Sequence, residues 1–361
     1  VYASTNVTLF SGLQQYNTIK RNTYNLEASM KELDAMKENI ALTVALGYLQ
    51  ILLNRELVTV TENQLVITRE QLEKTRKLVD AGSLAAANLL DIQAQAAREE
   101  VQLINNENQL LISFLNLTQL LELESPEGFD VIVPEYAVEN DLVIVDEVNQ
   151  VYLESEVMRP AIEASKLRLQ AAEQDLSIAK GGWSPRLSLS TSFNTVYSDA
   201  RQKILGFDPV NGDVLYGEYP FSNQMSDNIN YGIGLNLTIP IFNGWQVNTN
   251  IRNSKLNIEN SRYEVDAARK QLYKNIQQSF ADASGSLKAY NSSMTAVNDM
   301  EESFRYTEQK FNVGMVTTVE YNTAKSQLLN AQSELAQSKY QFLFKTKVLD
   351  FYRRIPLTLD N

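Results

Sequence analysis

The sequence predicts a mainly α-helical chain, internally duplicated into long helical hairpins, that also carries β-strands of membrane type. Three observations predict this. Gly12 and Gly244 are 232 residues apart, and so are Gly82 and Gly314. Helical pattern fills the stretches between and after these glycines. The segments that end at Gly12 and Gly244 read as strands. Two landmarks recurring at one offset, with no insertion between them, mark a repeat. Identities at that offset agree: Gln14 with Gln246, Ile19 with Ile251, Asn25 with Asn257, Glu27 with Glu259, Ser29 with Ser261 and Asp34 with Asp266.

Residues 1–11 alternate loosely, with Val1, Ala3, Thr5, Val7 and Leu9 on one side, and read as a strand over Val1–Phe10. Residues 12–121 form the first hairpin. A helix runs from Gly12 to Val79, roughly 100 Å at 1.5 Å per residue. Gly82 supplies a left-handed cap, and a second helix follows from Leu84 to Leu121. Residues 122–158 are mixed: a short strand at Phe129–Val133 and a short amphipathic helix over Asp141–Ser155, punctuated by Pro126, Gly128 and Pro134. Residues 159–184 are a helix opened by Pro160 in its first turn and closed by Gly181-Gly182.

Residues 185–242 hold the clearest alternation. Leu187–Tyr197 and Ile229–Ile241 are apolar at every second position and small or polar between, as membrane-barrel strands are. The polar stretch 198–228 reads as a loop joining them. Residues 243–353 form the second hairpin. From Trp245 to Phe311 a seam of Leu272, Ile276, Phe280, Ala283, Leu287, Tyr290, Met294, Val297, Met300 and Phe304 steps by threes and fours, as in a coiled coil. After Gly314 a last helix runs to Tyr352, and 354–361 is a tail stopped by Ile355-Pro356. Each long helix needs a partner along its length, and the helix and strand that would complete the first copy are expected before Val1.

Composition removes whole classes of function. The chain has no cysteine and no histidine, so thiol and imidazole chemistry and the usual zinc sites are absent. Carboxylate pairs at Glu99-Glu100, Glu122/Glu124 and Glu301-Glu302 read as solvated faces or salt-bridge partners. No enzyme, cofactor or metal site is expected. A net charge of −12 argues against nucleic acid. No run of eighteen apolar residues exists, so a transmembrane helix is not expected, whereas alternating strands leave a barrel open. A soluble coiled-coil scaffold explains the heptads but not the strands; the need for detergent in extraction separates the two.

The chain resembles the TolC family of outer-membrane efflux proteins over nearly its whole length. The resembling residues are Ile239-Pro-Ile-Phe-Asn-Gly-Trp245 with Val7-Thr-Leu-Phe-Ser-Gly12, Arg159-Pro-Ala-Ile through Trp183-Ser-Pro-Arg-Leu-Ser188, and Phe311-Asn-Val-Gly314. The resemblance implies a homotrimer in the outer membrane of a Gram-negative bacterium, each protomer lending four strands to a twelve-stranded barrel. Twelve long helices would form a tunnel through the periplasm, with 122–158 in an equatorial belt. It implies a passive duct driven by an inner-membrane transporter through a periplasmic adaptor, with drug, metal and protein export all open. The adaptor-docking tip would comprise Gly82, Ser83, Leu84, Gly314, Met315 and Val316.

Relatives narrow the tunnel with acids six and nine residues after the second-copy glycine, here Glu320 and Thr323. The first-copy counterparts are Asn88 and Asp91. Glu320 also fits a capping box with Thr317. Three copies of Glu320 facing one axis would repel one another, raising their pKa or recruiting a cation.

Overall fold

The computed structural model describes residues 1–125, 127–133, 148–207 and 209–357. The element order is β1 (Tyr2–Ser11), α1 (Gln14–Asp80), α2 (Ala86–Leu120), α3 (Val148–Met158), α4 (Pro160–Gly181), β2 (Arg186–Asn194), β3 (Lys203–Phe207), β4 (Val214–Gly217), α5 (Phe221–Asp227), β5 (Asn230–Thr238), α6 (Gln246–Asn312) and α7 (Thr318–Arg353). The chain is mostly helical. Contacts divide it into two units, Val1–Met30 with Ala164–Asp266 and Lys31–Glu163 with Ala267–Asn361.

In the first unit β1, β2 and β5 form an antiparallel sheet with β2 in the centre. The register sorts the side chains by face. Val7, Leu189 and Leu235 share one row, Thr5, Thr191 and Ile233 the next, and Ala3, Phe193 and Tyr231 a third. The rows between them hold Asn6, Ser190 and Gly234, then Ser4, Ser192 and Gly232. The apolar face has no core against it among the described residues: Ile233 is 82% exposed and Leu235 66%. On the other face a side chain at Gly232 or Gly234 would collide with the Ser192 or Ser190 hydroxyl, at 2.6 and 3.0 Å.

β2 and β5 are nine residues each, shorter than the alternation suggested. Pro240 has no N–H to give a ladder. Thr195 still exchanges backbone bonds with Val1, at 2.9 and 2.7 Å, and its hydroxyl donates to the Met225 carbonyl at 2.8 Å. The stretch 198–228, expected as a loop, contains the β3–β4 hairpin and α5. Gln224 explains the order there. It is fully buried, donates to the carbonyls of Ser198 and Tyr219, and accepts from the Ser198 amide.

The passage from strand to long helix repeats. Gly12 and Leu13 have φ of 62° and 60°; Gly244 and Trp245 have 58° and 64°. Two successive left-handed residues turn the chain sharply, and the second in each pair is not glycine. At Gly12 the fit is tight, since an added Cβ would lie 2.4 Å from that of Ser184. Gln14 then donates to the Ile178 carbonyl at 2.9 Å, and Arg21 pairs with Asp175 at 3.1 Å, holding α1 along α4.

The second unit is a helical assembly whose described residues include two apolar clusters. Leu49 and Leu52 of α1 pack with Tyr340 and Leu343 of α7. Val151 of α3 and Ile162 of α4 pack with Leu272 and Ile276 of α6. The latter two, with Ala283 and Val297, are the buried positions of the seam read in α6, while Met300 is exposed. One 18-residue window of α1 reaches a mean hydropathy of 1.2 with no more than two charges. By length and composition it could cross a membrane, which corrects the expectation that no helix would pass that test.

Phe129–Val133, expected as a strand, pairs with no strand among the described residues. Its backbone polar groups are met by side chains: Tyr48 donates to the Ile132 carbonyl at 2.6 Å and Arg55 to that of Val131 at 3.3 Å. Of the expected helix over 141–155, residues 148–155 lie in α3; the remainder, with Pro126 and Pro134, falls outside the described residues.

Candidate functional site

The candidate site is built from the two turns of the second unit and the helix starts that follow them. Both helices that lead in end in the same way. Gly82 has φ of 73°; its N–H bonds the Val79 carbonyl at 2.9 Å, and the Ser83 N–H bonds that of Leu78 at 2.9 Å. Gly314 has φ of 77°, with the corresponding bonds to Phe311 at 3.0 Å and from Met315 to Lys310 at 2.9 Å. This is the Schellman arrangement, in which a left-handed residue lets two amides return to the last carbonyls. Nothing lies within 4 Å of a Cβ placed at either glycine, so each is chosen for backbone conformation and not for space. Ser83 and Met315 are exposed; Leu84 and Val316 are half-buried.

The helices that lead out start differently. Thr317 caps α7: its hydroxyl accepts from the Glu320 amide at 3.2 Å, and the Thr317 amide donates to the Glu320 carboxylate at 2.7 Å. These bonds hold the Glu320 carboxyl below the ordinary carboxylate value. The expected cap is therefore present, and within one chain its effect on the acid is opposite in sign to repulsion among copies. At α2 the N-cap is Ala85, which has no side chain to accept.

Asn88, the first-copy counterpart of Glu320, accepts instead from the Thr318 hydroxyl at 3.0 Å. Asp91 and Thr323 line one open groove of about 420 Å³ between α2 and α7, together with Gln95 and Ser326. The Thr323 hydroxyl is turned back to the Val319 carbonyl at 2.8 Å. The two turns are also tied by Lys74, which donates to the Asn312 side chain at 2.6 Å. Asn88, Asp91 and Thr323 thus come together between α2 and α7, while Glu320 is held at its own cap.

Two buried features behind the turns were not singled out from the sequence. Tyr321, 2% exposed, stacks on Phe311 at 4.6 Å and packs against Phe304, and burial pushes its hydroxyl up to about 12. Lys325 is buried against α1 and α2, donating to the Gln64 carbonyl at 3.4 Å and to the Thr68 hydroxyl. Thr68 bonds the carboxylate of Glu99, which also accepts from Gln95 at 2.7 Å. Glu99 is therefore not on a solvated face, because its position on α2 points at α1; its neighbour Glu100 does pair outward, with Arg69 at 3.2 Å. The available signal was spacing: Tyr321, Lys325 and Leu328 fall on one helical stripe. Among the described residues no group of three carboxylates is placed to hold a metal ion.

The fold has known counterparts. TolC of Escherichia coli (strain K12) is 22% identical over 310 residues, covering 85% of this chain and 59% of TolC. The chain thus spans just under three-fifths of that relative. A membrane protein from Pseudomonas aeruginosa superposes with a TM-score of 0.77 at 16% identity, covering 98% of this chain and 76% of the other. The outer membrane protein VceC of Vibrio cholerae gives 0.74 at 16%, covering 98% and 78%. The sequence model of the outer membrane efflux protein family matches residues 1–122 and 151–349, both hairpins and the sheet between them. The chain belongs to the outer membrane efflux protein family.

Proposed function

We propose that this protein is the outer-membrane component of an export system, a passive duct in a Gram-negative cell with its helices in the periplasm. The observation that carries the reading is the sheet. One face is apolar and uncovered, the other is small and polar, and the outer edges of β1 and β5 pair with nothing among the described residues. In lipid an open edge is not tolerated, so strands of this kind must close a barrel with other strands. Three per chain are too few, which supports a barrel shared among copies. A homotrimer with twelve strands is the assembly we infer.

The helices support the same assembly. Along α1, Ile19, Leu26, Met30, Leu33, Met36 and Ile40 are all exposed at spacings of three, four and seven. A coiled-coil seam left bare in one chain calls for another helix. We further propose that the chain is a duplication: α1 and α6 have 67 residues each, and α2 and α7 have 35 and 36. The two Schellman turns would form the periplasmic tip, where an adaptor protein linked to an inner-membrane transporter docks. Glu320, Thr323, Asn88 and Asp91 would line its aperture. The cargo class stays open among drugs, metals and proteins.

Extraction and symmetry test this. The full-length protein should require detergent and then give particles with three-fold symmetry by electron microscopy. Release by salt alone, or a monomer, would overturn the reading and favour a soluble helical scaffold.

A further inference from the structure

Lys325 carries a charge into the place where α7 meets α1 and α2. It is 1% exposed, and Glu99 is 4% exposed. The two are joined through the Thr68 hydroxyl, which lies between the ammonium and the carboxylate. α1 presents only neutral groups here, Gln64 and Thr68. α2 presents Glu99, with Arg98 behind it on the Gln95 side chain at 2.7 Å. α6 contributes the field of Glu308, and Tyr321 is the titratable neighbour on α7.

Such a contact is a poor source of stability, because removing water from both charges offsets their attraction. The Gln64 amide nitrogen is itself buried without a partner, a further cost. Burial pushes the Lys325 ammonium down to about 8, against the opposing pull of Glu99 and Glu308. A buried charge met by its opposite at one place in a helical seam does something else: it permits one register and penalises the others. Lys325 lies on the buried stripe between Tyr321 and Leu328.

We propose that the Lys325–Thr68–Glu99 contact is a charge-matched register pin that fixes α7 against α1 and α2, and so fixes the Gly314 turn relative to the Gly82 turn. A slip of α7 by one helical step would carry Lys325 out of the contact into water and leave Glu99 buried and unmatched. The pin therefore makes the two turns move as one body, with Lys325 as a positioning residue.

The chain has no cysteine, so spin labels can be directed to Ser83→Cys and Met315→Cys in the full-length protein in detergent. Pulsed electron paramagnetic resonance then reads the distance between the turns. Lys325→Met and Glu99→Gln should each broaden the distance distribution, and the double variant should be narrower than either single. Parent-like single variants would overturn the proposal. So would broadening that adds in the double, since that is the behaviour of ordinary packing.

If a single variant fails to fold, the parent labelled pair tests the same claim by pH. A lysine exposed by slippage keeps its usual pKa, so between about pH 8 and 10.5 the slipped state binds more protons than the pinned one. The pinned state gains as pH rises through that window, and the slipped population should fall by more than about tenfold from pH 8 to pH 10. It should level off below about pH 7. A population that is constant or grows through the window would contradict the pin.

Discussion

The two turns reverse the chain with the same geometry and then part company. At Gly82 and Gly314 the left-handed residue and its two returning hydrogen bonds superimpose in kind. Past the glycines, α7 begins with a complete capping box and α2 with an uncapped alanine. The residue six past each glycine follows suit. Glu320 is spent on its own helix, whereas Asn88 reaches across to Thr318 of the other hairpin. A reversal needs only a residue that tolerates positive φ, so both turns keep it. A helix start can be satisfied by a side chain, by water or by a partner, so the copies were free to differ there. The second turn supplies both its own cap and the hydroxyl that donates to Asn88.

The comparison can be broken at the site of docking. Bulky charged replacements at Ser83, Leu84, Met315 and Val316 should abolish export while leaving the assembled protein intact in detergent. If the turns contribute equally, first-turn and second-turn variants will fail alike. Unimpaired export in all four would remove the turns from function. Substituting valine for Gly82 or Gly314 should give a smaller effect, about 1–2 kcal/mol each from the cost of holding a β-branched residue in the left-handed region. Denaturant unfolding of the full-length protein measures it, and equal costs at both glycines would support their shared geometry.

The caps should show the smallest effect and the sharpest contrast. Thr317→Ala should cost about 1 kcal/mol, while Ala85→Ser should stabilise by a similar amount, because Ala85 already has the extended backbone of an N-cap. Hydrogen exchange in the first turns of α2 and α7 separates the two effects. The pH dependence has a definite sign. The Glu320 carboxyl is held low in the folded chain, so its contribution is present above the usual carboxylate pKa and is lost as pH falls through the lowered value. That loss should vanish in Glu320→Gln.

Much of this was legible before any coordinates. Glycine punctuation located both reversals because few other residues accept their backbone angles. Strict alternation in Leu187–Phe193 and Tyr231–Leu237 marked a sheet with two unlike faces. The order in 198–228 was not legible, because it rests on one buried glutamine bonding backbone across the segment, which leaves no periodic trace. Nor was the Lys325–Glu99 contact. Glu99 beside Glu100 looks like any solvated pair until the rotation of α2 against α1 is known. Thr317-Thr-Val-Glu320 was readable as a cap since a capping box is local, whereas the Asn88–Thr318 bond joins residues 230 positions apart.

Ion conduction tests the central claim most directly. The full-length protein, reconstituted into planar lipid bilayers, should give discrete unitary conductance steps with a preference for cations, and that preference should weaken in Asp91→Asn and Glu320→Gln. A protein that inserts from detergent yet never conducts, under any voltage that the bilayer withstands, would contradict a duct through the outer membrane.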